Sequence, residues 1–172
     1  MKKPALILLS MLCLTTAFIA GSCTISYKFN GASIDYSKTK SITIEEFPNQ
    51  AALVYPPLAI KLNESIANIF AQQTRLNVVR TGGDLELSGA ITGYSLAATA
   101  IGSDNLASEN KLIVNVKIHF VNNVTGDEND QTFSAFRTFS SSSSLNDVQD
   151  ALIEELVEEI VDQIFNATVA NW

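Results

Sequence analysis

Reactive and cationic side chains are scarce in this sequence of 172 residues. It has one histidine and two cysteines, and its 11 Lys and Arg residues are outnumbered by 18 Asp and Glu residues. So few imidazole and thiol groups cannot build a typical zinc site. The formal net charge of −7 argues against nucleic acid as a partner, because contacts to phosphates require lysine and arginine.

Motifs for catalysis are also missing. The sequence contains no nucleophile elbow, no P-loop and no dinucleotide-binding glycine pattern. The single histidine, His119, falls inside an apolar-alternating segment and is interpreted as a sheet residue without a special role. No two carboxylates have the placement of a general acid and base. The sequence therefore predicts a protein that is not an enzyme and needs no cofactor or metal.

The first 22 residues have the composition of an export signal. Two lysines follow the first methionine, and the apolar stretch after them ends in Ala20-Gly21-Ser22 before Cys23. A charged start and a short apolar centre are typical of a secretory signal rather than of a membrane span. Small residues before a cysteine resemble the lipobox of bacterial lipoproteins, although Ala20 stands where leucine is preferred. The resemblance implies that Cys23 is lipidated and becomes the first residue of the mature chain.

Two other interpretations of the N-terminus stay open, namely an ordinary signal peptide with an incidental Cys23 and a retained anchor. Lipidation is favoured because Cys13 would leave with the signal, so that Cys23 would be the only thiol of the mature chain. Cleavage also removes two lysines and lowers the formal charge from −7 to −9, since nine bases then face 18 acids. We predict a signal peptide at 1–22, a lipidated cysteine and tether at 23–40, and one domain at 41–172.

Hydrophobic periodicity predicts an α+β fold with two helices on one face of a small mixed or antiparallel sheet. A capping box is expected at Ser144 and Asp147, at the start of the second helix. The predicted strands are 41–47, 76–80, 85–100, 111–122 and 131–139, the predicted helices are 56–75 and 145–168, and the predicted connections include a hairpin turn at 81–84, a loop at 101–110 and a turn at 123–130.

The second predicted helix has an acidic side. Glu154, Glu155, Glu158 and Glu159 lie there, and no Lys, Arg or His occurs after Arg137. Like charges four residues apart weaken an isolated helix slightly. One interpretation is a solvated face that keeps the domain soluble. The other is a face that lies against a basic partner surface.

Three stretches of the sequence resemble the LptE family of lipopolysaccharide-assembly lipoproteins. They are YKFNGASIDYSKTKSITIEEFPNQAALVYPPL at 27–58, RTGGDLELSGAITGY at 80–94, and EELVEEIVDQIFNATVANW at 154–172. The likeness rests on the order of the segments along the chain and on these short stretches of sequence, rather than on a catalytic signature. It implies two helices on a small mixed sheet, in agreement with the periodicity.

The resemblance also implies a function. Proteins of this family are non-enzymatic, lie in the periplasmic leaflet of the outer membrane through their lipid, plug the LptD β-barrel, help it assemble and bind lipopolysaccharide. An anionic ligand requires bases, and Arg75, Arg80 and Lys111 are candidate contacts, with ordinary surface solubility as the alternative. The competing functions are a lipid-binding or auxiliary lipoprotein of another envelope transport system and, with no reactive constellation to support it, a lipoprotein enzyme.

Overall fold

The computed structural model describes residues 34–101 and 107–169. The expected signal peptide, Cys23 and most of the expected tether lie outside the described residues. The described chain forms strands β1 (Ser41–Ile44), β2 (Asn77–Val79), β3 (Leu85–Ile101), β4 (Ala107–Asn122) and β5 (Asp127–Ser140), and helices α1 (Pro56–Gln73) and α2 (Leu145–Thr168).

The five strands form one mixed sheet in the order β2-β1-β3-β4-β5. β1 is parallel to both β2 and β3, whereas β3–β4 and β4–β5 are antiparallel. Both helices pack on the same face of this sheet, so the predicted α+β architecture is confirmed. In the long β3–β4 ladder, Leu85 pairs with Asn122 at one end and Ala97 pairs with Lys111 near the other.

The core lies between that face and the helices. Alternate residues of β4 are buried, as expected for a strand with one covered face. On α1 the buried residues recur every four positions, and Phe70 packs edge-to-face on Phe165 of α2 with ring centroids 5.4 Å apart. Burying each of these large side chains contributes about 1.5–3 kcal/mol. The fully or almost fully buried residues include Ile42, Phe47, Leu58, Leu62, Ile66, Phe70, Leu87, Ile91, Val114, Val116, Ile118, Ile153, Leu156, Ile160 and Ile164.

The prediction of a hairpin turn at 81–84 is wrong. β2 and β3 do not pair, because β1 lies between them and is parallel to both. The segment therefore crosses β1 instead of reversing the chain. Gly83 passes so close that a Cβ atom there would lie 2.6 Å from the backbone nitrogen of Thr43, and its amide donates to the Thr43 hydroxyl at 3.0 Å. Glycine is needed here for close approach.

The first predicted strand ends earlier than expected, at Ile44 rather than at Phe47. The chain bends there because Phe47 enters the core, where it is fully buried over Gly89. A Cβ atom on Gly89 would lie 2.4 Å from the Phe47 ring. The side chain of Asn63 on α1 holds this bend by accepting from the Phe47 amide at 2.8 Å and donating to its carbonyl at 3.1 Å.

Several other boundaries differ from prediction. β4 begins at Ala107 and β5 at Asp127, although polar and acidic residues had indicated a loop and a turn there. Cross-strand pairing with a neighbour outweighs the weak strand propensity of such residues. The expected capping box is absent, since Ser144 makes no side-chain cap bond and its carbonyl accepts from the Asp147 amide at 3.1 Å. The predicted span of α2 is confirmed.

Candidate partner and ligand surfaces

An arginine on the edge strand holds two of the four acids predicted to face a partner. Arg137 donates from Nε to Glu155 Oε2 at 2.7 Å and from Nη1 to Glu159 Oε2 at 2.6 Å. These two carboxylates raise the pKa of the Arg137 guanidinium. The repulsion expected between Glu155 and Glu159 is thus relieved by one cation that joins α2 to β5.

The other two predicted acids differ from each other. Glu154 Oε2 lies 3.4 Å from Lys61 Nζ, so this ion pair links α2 to α1. Glu158 is exposed, and within residues 34–101 and 107–169 it forms no ion pair. The acidic side of α2 is therefore partly neutralised within the domain, and of its four glutamates Glu158 is the one without an ion pair in the described ranges.

The three predicted ligand-binding bases do not come together. Arg75 and Arg80 flank β2 and are exposed. Lys111 lies toward the opposite end of the sheet, where its Nζ sits 4.2 Å from the centre of the Phe136 ring. The register of β3 separates the two places by roughly 35 Å, at ~3.3 Å per residue. A single small anionic group can contact one place or the other.

Within residues 34–101 and 107–169, no helix packs on the second face of the sheet. A row of cross-strand neighbours runs Ser88, His119, Asp130 across β3, β4 and β5. His119 Nδ1 lies 3.0 Å from Asp130 Oδ1, and Lys117 Nζ lies 3.9 Å from Asp130 Oδ2. An open groove of about 440 Å³ crosses this row. Glu46 and other residues that follow β1 also line it. We call this surface, made by the outward residues of β3, β4 and β5, the open face.

The Asp84 carboxylate, just before β3, binds the start of β1. Asp84 Oδ2 accepts from the amides of Lys40 and Ser41 at 2.7 and 3.0 Å and from the Ser41 hydroxyl at 3.0 Å. These bonds, led by the one from the Lys40 amide, lower the pKa of Asp84. Thr39 is already buried, and it helps to line a pocket of about 180 Å³.

The opposite end of the helical layer carries aromatic residues. Tyr55, just before α1, stacks on Tyr94 of β3 with ring centroids 6.3 Å apart. The Tyr55 hydroxyl donates to Asp150 of α2, which raises the pKa of Tyr55. Tyr94 is buried, whereas Leu96, two residues further along β3, is 46 % exposed.

The described residues contain neither a cluster of metal ligands nor a helix suited to span a membrane. Nowhere in 34–101 or 107–169 do three or more His, Cys, Asp or Glu side chains gather as metal ligands would. No helix in the same ranges is both long and apolar enough to cross a membrane.

Sequence reasoning missed the role of Arg137. The signal was present, since Arg137 is the last base in the sequence. It also lies on the same, core-facing side of its strand as Phe133, Ala135 and Phe139. A lone cation on the helix-facing side of an edge strand is expected to meet the acids of the covering helix.

The chain matches the model of a known family. The model of the LptE family, described as lipopolysaccharide-assembly, matches residues 39–168. A search of curated proteins finds no match.

Solved structures share the fold at low sequence identity. The rare lipoprotein B of Shewanella oneidensis superposes with a TM-score of 0.56 at 10 % identity, covering 74 % of this chain and 92 % of that one. A hypothetical protein of Chlamydia trachomatis gives 0.53 at 8 % identity, covering 75 % and 97 %. At such identities these likenesses concern the fold alone.

Proposed function

Because this chain belongs to the LptE family of lipopolysaccharide-assembly proteins, we propose that it is a non-enzymatic lipoprotein that partners an LptD-type β-barrel of the outer membrane. The observation that carries the proposal is the family match, which spans both helices and all five strands. The domain would serve as plug and assembly partner of the barrel and would assist delivery of lipopolysaccharide.

The architecture supports a binding role rather than carriage of a lipid inside the domain. A carrier needs a cavity for acyl chains between its layers. Here that space is occupied by side chains such as Phe47, Phe70 and Ile160, none of which is accessible to solvent. This packing weighs against the alternative of a lipid-binding lipoprotein of another envelope transport system.

The partnership is tested by co-purification from detergent-solubilised outer membranes. An affinity-tagged chain should recover a large β-barrel protein in near-stoichiometric amount, identified by mass spectrometry. Recovery of an inner-membrane transporter instead, or of no membrane protein, would overturn the proposal. An unrelated tagged outer-membrane lipoprotein is the control for recovery that depends only on the membrane.

The proposed anchor is Cys23 on the periplasmic leaflet of the outer membrane. The mature protein should begin at residue 23 and carry a diacylglyceryl thioether and an N-acyl group, since more than one chain makes membrane anchoring stable. Intact-mass measurement of the wild type and of Cys23→Ser checks this. A wild-type product that lacks added lipid mass would contradict it.

For the anionic ligand, we propose two alternative contacts, namely Arg75 with Arg80 at one end of the sheet and Lys111 at the other. Arg75→Gln with Arg80→Gln removes one place, and Lys111→Gln removes the other. Each variant is compared for binding of purified lipopolysaccharide, with Lys61→Gln as a control base elsewhere on the domain. Equal binding by all four proteins would remove both places as contacts.

The partner-facing acids are tested most cleanly at Glu158. Reversal of Glu155 or Glu159 would also break the Arg137 ion pairs, so that loss of binding could reflect a displaced helix. Glu158→Lys leaves those pairs intact and should lower recovery of the barrel if α2 faces a basic surface. Unchanged recovery would leave the acidic side as a solvated face.

A further inference from the structure

The two edges of the sheet are unequal. β2, at one edge, has three residues, whereas β5, at the other, has 14. An edge strand presents unpaired amides and carbonyls that invite another strand to pair. Shortness limits this exposure at β2. On the same side, β3 pairs with β1 from Leu85 to Leu87 and bridges Asn49 at Ile91, so within the described ranges its later residues also have no strand neighbour there. The longest uninterrupted edge of the sheet is β5.

β5 lacks some of the features that block edge pairing, although it carries acids at its start and an inward-pointing Arg137 near its end. From Asp127 to Ser140 it contains no proline, glycine or lysine, and its register with β4 is continuous, without a bulge. Along the part of the chain that the structure describes, no strand pairs with the outer side of β5. Phe136, in the second half of the strand, is 52 % exposed. This edge is long and is not interrupted by a bulge, which suits β-augmentation.

Charge is distributed unevenly along this edge. The acids lie at the start of β5, next to the turn that follows β4. Of these, Asp130 already has Lys117 and His119 as neighbours on β4. Asp127 and Glu128 form no ion pair within the described ranges. Threonine, serine and phenylalanine make up most of the rest, and the single base, Arg137, is held by α2.

We propose that the outer edge of β5 accepts an extended segment of a partner protein as a sixth strand, with basic residues of that segment opposite Asp127 and Glu128. Backbone hydrogen bonds would supply affinity and the two acids would set the register. The inference rests on the proposed function in requiring a protein partner, and it assigns the contact to a particular edge.

A second copy of this chain suits the edge less well. Antiparallel pairing of two β5 strands would set Asp127 and Glu128 against the hydroxyl and aromatic residues of the other copy. Parallel pairing would set acid against acid, which is destabilising. Neither arrangement supplies a base, because Arg137 is already paired with Glu155 and Glu159.

The backbone geometry indicates where to interrupt such pairing. The carbonyl of Phe136 accepts from the Arg137 guanidinium at 2.9 Å, outside the ladder with β4. Residues two apart on a strand direct their amide and carbonyl to the same side. Ser134 therefore shares the outward orientation of Phe136, and Ser134→Pro removes an outward donor without removing a bond to β4.

The experiment measures how much β-barrel partner is recovered from outer membranes with edge variants of the full-length chain. Ser134→Pro and Ser134→Lys, the second of which keeps the backbone intact, should each lower recovery about ten-fold, equivalent to ~1.4 kcal/mol. Glu128→Lys should lower it less, and most at low salt. Asn68→Lys, which adds the same charge at an exposed position of α1 outside both the groove and the edge, is the control. Thermal unfolding checks that every variant folds.

The outcomes separate this inference from the proposed function. Loss of the barrel with both Ser134 variants, but not with Asn68→Lys, supports the edge contact. Full recovery with both Ser134 variants overturns it and leaves the partnership standing, whereas failure of the wild type to recover any barrel overturns the proposed function itself. Concentration-dependent dimers that Ser134→Lys abolishes would overturn it in favour of a second copy.

Discussion

The two faces of the sheet are made by the same strands and have opposite surroundings. On β4, Val116 and Ile118 lie under the helices, while Lys117 and His119 lie on the open face. The covered face determines stability through close packing, since its side chains touch neighbours on every side. The open face tolerates change, so binding can use it and the adjoining edge at little cost to the fold.

The largest expected difference between the faces comes from one isoleucine on each. Ile118→Ala should lower the free energy of unfolding by about 2–5 kcal/mol, because Ile118 is 1 % exposed and its loss leaves a cavity. Ile113→Ala, on the open face of the same strand, should cost about 1 kcal/mol. Urea denaturation of both variants provides the measurement, and equal losses would show that the faces are energetically alike.

A second test uses two glycines of β3. A Cβ atom on Gly89 would lie 2.4 Å from both the Lys117 carbonyl and the Phe47 ring, neither of which can easily move. Gly89→Ala should therefore destabilise the protein by about 1–3 kcal/mol, as overpacked cores do. At Gly93 the closest atom, 2.5 Å away, is the terminal nitrogen of the Asn115 side chain.

Gly93→Ala is the matched control, because the terminal amide of Asn115 can rotate away on the open face and the Asn115 Cβ, at 3.2 Å, needs to shift only by a few tenths of an ångström. We expect its stability to stay within about 0.5 kcal/mol of the wild type. If Gly93→Ala proved as damaging as Gly89→Ala in the same denaturation measurement, the open face would be as tightly packed as the core.

Much of this fold follows from sequence periodicity. The spacing of Leu58, Leu62, Ile66 and Phe70 predicts α1, and the apolar stripes after Leu145 predict α2 with its observed bounds. Alternation along β4 also predicts which face is buried. These features are local, because each depends on residues within one helix or strand.

The order of the strands could not be predicted in the same way. Thr81-Gly82-Gly83-Asp84 has hairpin composition, but the partner of β2 is β1, which lies more than 30 residues earlier in the chain. The burial of Phe47 likewise depends on the space above Gly89, a residue 42 positions away. Such choices depend on long-range contacts that a local pattern does not encode.

The candidate surfaces were predictable only in part. The acids of α2 are evident in the sequence, but their cation, Arg137, is on another element. The separation of Arg80 from Lys111 depends on the register of β3, which the sequence leaves open. The unprotected edge follows from strand order, and therefore could be found only in the structure.

A smaller effect is expected from the ion pairs of the two faces. Arg137→Met keeps the packing of the side-chain stem but leaves Glu155 and Glu159 as unpaired like charges, and should cost about 1 kcal/mol. Lys117→Met removes a single pair at 3.9 Å with a side chain that is 55 % exposed, and should cost about 0.3 kcal/mol or less. Equal unfolding free energies for the two variants would contradict a special role for Arg137.

The smallest expected effect concerns Asp84, in the segment that crosses β1. Its pKa is lowered in the folded protein by the Lys40 amide and the Ser41 hydroxyl. A lowered folded-state pKa stabilises the fold at pH values above the unfolded value of about 3.9. That contribution is lost as the pH falls through the folded-state pKa. Asp84→Asn should therefore have a lower Tm than the wild type at neutral pH. The difference between the two Tm values should shrink as the solution becomes acidic.

The measurement is the Tm of the wild type and of Asp84→Asn across the acidic range. Converging curves are expected, because protonation removes from the wild type the charge that the asparagine lacks throughout. Asp35, whose pKa is also lowered, chiefly by Ser37, is retained in both proteins and cancels in the comparison. Parallel curves would mean that the bonds of Asp84 stabilise the crossing without depending on its charge, so that the neutral amide replaces the carboxylate equally well at every pH.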